Sequence, residues 1–521
     1  MNRRSLAISS LLVTIVVPTS SAFAQQRFPV EETSIAQVHA AFRAGRLTCR
    51  RLVDAYLRRI DAYDKRGPAI NAITVVNPDA LATADSLDRR FAATKQFVGP
   101  LHCIPMIVKD NFQTIGLQTA AGSLALKGYT PSKDAFQVKR IKEAGAIVLA
   151  KSNMAEFAFS PLETVNSLLP GYTKNPFALD RVTAGSSGGT AAAVSADFGE
   201  VGLGTDTGNS IRGPSAHNSL VGIRSTMGLT SRAGIAPLSL FADIAGPMAR
   251  TVADAVAVFQ VVAGYDPDDP ATEVMNGKPL PDYSASLVRD GLKGARIGVL
   301  RQAYDRPSLD TGVAQVFAKA IADLRRAGAT VVDTVMVAEL DSIQRSGARP
   351  GCNPFKYEFN QWLAAQGDRV PVKTLDAIVR SGNFHPSIQA RLIAADTITP
   401  PPDSVAGCRS RQRVRDGLRD AVTRMMDRLQ LDAVIYPTWS NPPRLIGDLN
   451  TPGGDNSQVF SPTTGMPAIT VPMGYTRNNT LPAGLQLLGR AFDEPRLIKL
   501  AYSYEQATKW RRQPPTVPAL R

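Results

Sequence analysis

Apolar positions recur at helical spacing near the start of the chain, then change period about one hundred residues in. Thr33 or Ser34 is placed to cap a helix carrying Val38, Ala41 and Phe42. Thr48 is placed to cap a second, with Leu52, Val53, Tyr56, Leu57 and Ile60 on one face. Residues 80–93 read as a third helix. From Pro100 short apolar runs at 104–108, 147–150 and 201–204 alternate with helical patterns and Gly-rich turns, and a helix over 136–144 feeds the second run through Gly145. Residues 296–300 and 330–335 read as strands flanking a helix over 311–327. Periodicity is weakest over 336–430, where long loops and helices are expected. Strands follow at 431–436, 468–472 and 484–488, then a helix over 495–509. This texture predicts an α/β fold. A length of 521 residues would accommodate about three to four average domains. The absence of repeats and flexible linkers instead favours one large domain with an inserted helical region.

The first residues read differently. Arg3 and Arg4 precede an uncharged apolar stretch from Leu6 to Val17, Pro18 breaks it, and Ala22-Phe23-Ala24 supplies a small-x-small cleavage pattern. That predicts a signal peptide over 1–24, a mature chain over 25–521, and an exported protein, periplasmic or secreted. The stretch is shorter than the ~20 residues a bilayer span needs, so no stable membrane span is expected after cleavage. The paired arginines leave the general and twin-arginine export routes both open. Export permits disulfides. Cys352 and Cys408 lie in loop-like sequence and suit a pair, whereas Cys103 sits in a tight apolar stretch and reads as a buried thiol.

The chain is 44% hydrophobic and 20% charged, which excludes disordered, collagen-like and coiled-coil classes. Its net charge of +14 is scattered. The densest basic stretch, Arg409 to Arg419, lacks interleaved aromatics and reads as the solvated face of a helix start, so no nucleic-acid partner is expected. Only 4 His and 4 Cys are present, without CxxC or HExxH, and no metal site is suggested.

The candidate chemistry lies in two Gly/Ser loops, Thr183 to Thr190 and Gly202 to Pro214, joined by one helix and one strand. Glycines let a ligand approach backbone amides closely, so such loops suit anions or oxyanions. A phosphate loop fails because GxxxxGK[ST] is absent, the Gly202-x-Gly204 pattern lacks its third glycine, and no helix clearly follows. Purely structural turns and a serine hydrolase site remain. A serine nucleophile needs a base, no GxSxG elbow occurs, and none of the four histidines stands in a triad-like pattern. Lys109, ending the apolar run from Ile104, is the alternative, because burial would lower its pKa toward neutrality. An ion pair of Lys109 with Asp110 or Asp206 fits the same residues.

Gly99-Pro100-Leu101-His102, Lys109-Asp110-Asn111, Ala184 to Gly189, Gly204 to Arg212, Gly246 to Arg250, Asp266 to Pro270 and Gly465 to Ala468 together resemble, in order, the amidase signature family. The resemblance runs from about residue 34 to 510, with core motifs over 99–270 and a variable substrate-side region over 336–430. It implies a mixed central sheet of about eleven strands covered by helices. It also implies hydrolysis of carboxamides by a Ser–Ser–Lys triad without cofactor or metal, esters or carbamates being further substrates. The partner it implies is a small-molecule amide, and it adds a homodimer as an assembly to test. On matching positions Ser210 is similar to the nucleophile, Ser186 to the bridging serine after a cis peptide bond, and Lys109 to the general base. Backbone amides of Thr207, Gly208 and Asn209 would form the oxyanion hole. Ser187, Asp206 and Arg212 resemble supporting residues. Two positions depart from the family: Asn209 and Cys103 stand where glycine is commoner. The resemblance leaves the substrate open, with Met154 to Phe159, residues 351–382 and Trp439 as candidate wall segments.

Overall fold

The computed structural model describes residues 28–346, 352–397 and 401–520. The signal-peptide pattern lies outside them. Ser34 caps the helix Ile35–Arg43 through its own hydroxyl and a reciprocal Gln37 contact, and Thr48 caps Cys49–Tyr63. Helices also form at Ala80–Thr94, Phe136–Glu143, Thr311–Arg326 and Glu494–Thr508.

Eleven strands build one mixed sheet: β1 (Ile73–Val76), β2 (Pro105–Lys109), β3 (Ile147–Ser152), β4 (Val201–Asp206), β5 (Val221–Arg224), β6 (Ile244–Ala249), β7 (Arg296–Leu300), β8 (Thr330–Val335), β9 (Ala433–Pro437), β10 (Ala468–Thr476) and β11 (Leu481–Leu488). Their order is β1-β3-β2-β4-β6-β5-β10-β11-β9-β7-β8. β3, β2 and β4 run parallel to one another, as do β9, β7 and β8, and the segment between is antiparallel. Most sheet strands are buried along their whole length, which is why they read as continuous apolar runs rather than alternating ones. Among the described residues no helix is long and apolar enough to cross a membrane.

Three expectations are corrected. Cys103 is not a free thiol: it is bonded to Cys49, with Cα atoms 5.3 Å apart, well within bridging range. Its φ of 62° explains the family's glycine there. The left-handed turn before β2 aims the Cys103 side chain at the N-terminus of the Cys49–Tyr63 helix. Cys352 and Cys408 pair as expected. Second, a short helix, Arg212–His217, does follow the second Gly/Ser loop; Gly213 and Pro214 hid it, although proline is tolerated in a first helical turn. Third, the basic stretch begins the long helix Ala406–Arg428, but its face is not wholly solvated. Arg415 is buried, stacks on Phe241 and donates to the carbonyls of Phe241, Pro462 and Thr463.

Candidate active site

β2 and β4 are adjacent and parallel, with Val108 opposite Leu203, so the chain leaves both at the same sheet edge. The carboxyl edge of parallel strands is where α/β folds gather ligands. Lys109, the last residue of β2, is fully buried there. Its Nζ donates to Ser186 Oγ at 2.7 Å, Thr205 Oγ1 at 2.8 Å and Ser187 Oγ at 2.9 Å.

Neither ion pair that the sequence left open forms. Asp110 accepts from the Ala120 and Gly122 amides, and Asp206 is taken by Arg212 and Arg224. Burial pulls Lys109 down to about 7, against the opposing charges of Asp206 and Asp243. A lysine surrounded by hydroxyls rather than carboxylates can release its proton near neutrality.

The peptide bond Gly185–Ser186 is cis. Ser187 starts the helix Gly188–Ser195 and its Oγ donates to the Thr205 carbonyl at 3.1 Å, joining that helix to β4. Lys109, Ser186, Ser187 and Thr205 are therefore one hydrogen-bonded group.

Ser210 lies on the turn after β4, is 5% exposed, and opens with Thr207, Gly208 and Asn209 onto a cavity of about 480 Å³. Among the described residues the amides of Thr207 to Ser210 are not committed to any backbone carbonyl in a turn or loop. The turn is fixed by its flanks. Asp206 Oδ2 accepts from the Ile211 and Arg212 amides and from Arg212 Nε at 3.0 Å, while Arg212 Nη2 donates to the Gly208 carbonyl at 2.5 Å. Thr207 Oγ1 donates to Asp243 at 2.6 Å. Burial alone would raise the Asp206 carboxyl, but Arg212 and Arg224 outweigh it and hold it at about 2. Among the described residues no hydrogen bond joins Ser186 Oγ to Ser210 Oγ. Catalytic contacts often tighten only around substrate.

Asn209 does not need the left-handed backbone its glycine counterpart would permit, since its φ is not positive. Its buried carboxamide instead crowds Gly213, where an added Cβ would meet Asn209 Nδ2 at 2.7 Å and Trp439 at 3.0 Å.

Of the suspected wall segments, Ala158 and Phe159 line the cavity from the edge of a hydrophobic cluster that also holds Met154 and Phe157, which do not line it. From 351–382, Cys352, Pro354 and Glu358 line a neighbouring cavity instead. Trp439 packs on His217 behind the Ser210 turn. Among the described residues no histidine lines the Ser210 cavity. Arg224, Asp243 and Arg391 join the site or its wall without a sequence signal that set them apart, whereas Thr205 lay unremarked in the Gly204 to Arg212 motif and Arg411 in the basic stretch read as a solvated face.

Comparison with known proteins bears on the family and the fold. The family model described as Amidase matches residues 51–498. Native peptide amidase from Stenotrophomonas maltophilia superposes with a TM-score of 0.82 at 36% identity, over 93% of this chain and 98% of that one. An amidase family protein from Bacillus anthracis gives a TM-score of 0.80 at 32% identity, over 93% and 92%. One chain of the glutamyl-tRNA(Gln) amidotransferase from Halorhodospira halophila is 33% identical over 93% of this chain and 99% of its own length.

Proposed function

The chain belongs to the amidase signature family and is a hydrolase of amide C–N bonds, and from that premise we propose that it is an exported amidase in which Ser210 is the nucleophile, Ser186 the proton relay and Lys109 the general base. The observation that carries this reading is the buried Lys109 Nζ, 2.7 Å from Ser186 Oγ and, among the described residues, free of any carboxylate partner. Neutral Lys109 takes the Ser186 proton as Ser186 takes that of Ser210. Ser210 Oγ bonds to the amide carbon, and the carbonyl oxygen becomes an anion facing the amides of Thr207, Gly208 and Asn209. One such donor is worth ~3–4 kcal/mol. The relay then hands its proton to the leaving nitrogen as the C–N bond breaks. Water hydrolyses the acyl–Ser210 ester by the same route. Incubation of Ser210→Ala and Lys109→Ala with an anilide tests the assignment: both should lose activity by at least about a hundredfold, and wild-type rates in both would refute it.

Export is supported by the pattern over 1–24 and by two disulfides, which persist in oxidising compartments. N-terminal sequencing of secreted or periplasmic material should begin at Gln25. A component of a transamidase that works on charged tRNA is the other reading, favoured by the Halorhodospira relative. It calls for a cytoplasmic chain bound to RNA, against which the same two features weigh.

A further inference from the structure

We propose that the Ser210 cavity selects amides that also carry a carboxylate, with Arg391 and Arg411 as the residues that recognise it; this rests on the amidase reading above. Two guanidinium side chains line the cavity and, among the described residues, no aspartate or glutamate does. Arg391 donates through Nη1 to the Phe159 carbonyl, and its guanidinium lies 4.6 Å from the centre of the Phe159 ring. Arg411 donates through Nη1 to Cys352 Sγ at 3.2 Å and stacks 4.7 Å from the centre of the Phe241 ring. Each is thus oriented by an aromatic shelf and a neutral acceptor. Among the described residues neither forms an ion pair.

The arginines behind the site behave differently. Arg212 and Arg224 share Asp206, and Arg415 spends its donors on three carbonyls. Those three build the scaffold. Arg391 and Arg411 keep donors and a full charge for whatever enters. In the neighbouring cavity Glu358 acts on Arg411 through its charge without pairing with it, and its carboxylate accepts from the Leu240 amide at 2.7 Å. Guanidinium groups at a cavity wall, here exposed Arg391 and half-buried Arg411, draw in anions, and their planar fork fits a carboxylate with two parallel hydrogen bonds. A neutral substrate would make no use of either cation.

Two matched pairs test this, one for each side of the scissile bond. Succinyl against butyryl 4-nitroanilide places the carboxylate on the acyl part; N-butyryl-4-aminobenzoate against butyranilide places it on the amine part. In at least one pair the anionic member should show about tenfold higher kcat/KM. That ratio should fall to near one in the Arg391→Gln/Arg411→Gln double variant. A ratio is insensitive to partial misfolding, which lowers both members alike. Equal rates in both pairs for the wild type, or a preference that survives in the double variant, overturn the proposal. If no anilide is turned over, the amidase reading has failed, and calorimetric titration of Ser210→Ala with succinamate and butyramide decides the charge selection by itself. Tighter binding of succinamate that is lost when both arginines are replaced upholds it, and equal binding overturns it.

Discussion

At the scale of single residues the proposed mechanism turns on the proton of Lys109. Its ordinary pKa of 10.5 would keep it charged at neutral pH, and burial among Ser186, Ser187 and Thr205 brings it to about 7. A protonated Lys109 cannot accept from Ser186. On a neutral anilide, kcat/KM should therefore rise with pH up to about 7 and level off above it. A profile with no ascending limb between about pH 5 and 8 would exclude Lys109 as the base. The same shift sets a stability slope. Between about 7 and 10.5 the unfolded chain holds this proton and the native chain does not, so the cost of burying Lys109 is relieved as pH rises through that window. Lys109, Ser186 and Ser210 were legible because each sits in a short, ordered motif. Asp243 lies in no such motif, and Thr205, although inside one, was given no role because its hydroxyl becomes significant only through the lysine it faces.

At the scale of elements, close packing of strands and turns holds the group in register. Gly204 in β4 shows how tight this is. A Cβ there would meet Met248 Sδ at 2.7 Å and Ser187 Oγ at 3.0 Å. Gly204→Ala should destabilise the protein by about 1–3 kcal/mol and lower kcat by displacing Ser187 from Lys109. Urea titration and steady-state kinetics would read the two effects, and an unchanged kcat would detach Ser187 from the mechanism. The same packing explains the strands that escaped the sequence. β1 is a four-residue edge strand whose last residue is exposed. β5 contains Gly222, where a Cβ would meet Ser215 Oγ at 2.4 Å, and β6 contains Gly246, where it would meet the Ile223 carbonyl at 2.6 Å. Small residues needed for backbone approach remove the apolar signal that marks a strand. Arg250, which ends the Gly246 motif, is structural. It lies at the end of β6 opposite the site and donates to the carbonyls of Thr33, Val194 and Gly199.

At the scale of the whole molecule the chain is closed by contacts between its distant parts. Arg59 reaches the carbonyls of Ala196, Asp197, Val517 and Pro518, and Arg511 pairs with Glu32, so the N- and C-terminal segments are fastened to the same helix–strand unit. Two disulfides span separations of 54 and 56 residues. In the chain-entropy description, loops of that size contribute up to about 4 kcal/mol each. Urea unfolding with reductant should show a stability lower by about 2–4 kcal/mol per bond lost, and Cys49→Ser and Cys352→Ser should assign each share. An unchanged midpoint would mean that the unfolded chain is not appreciably constrained by them. The sequence by itself determined the α/β class, eight of the eleven strands, the caps of the first two helices and the two Gly/Ser loops with their lysine, because periodicity, capping and motif are local properties of neighbouring residues. Only the tertiary structure decided that Lys109 would meet hydroxyls rather than aspartates, that Cys103 would find Cys49, and that Arg391 and Arg411 would line the same cavity as Ser210. Those outcomes depend on which residues, far apart in sequence, the sheet order brings to one edge, and no local pattern encodes that distance.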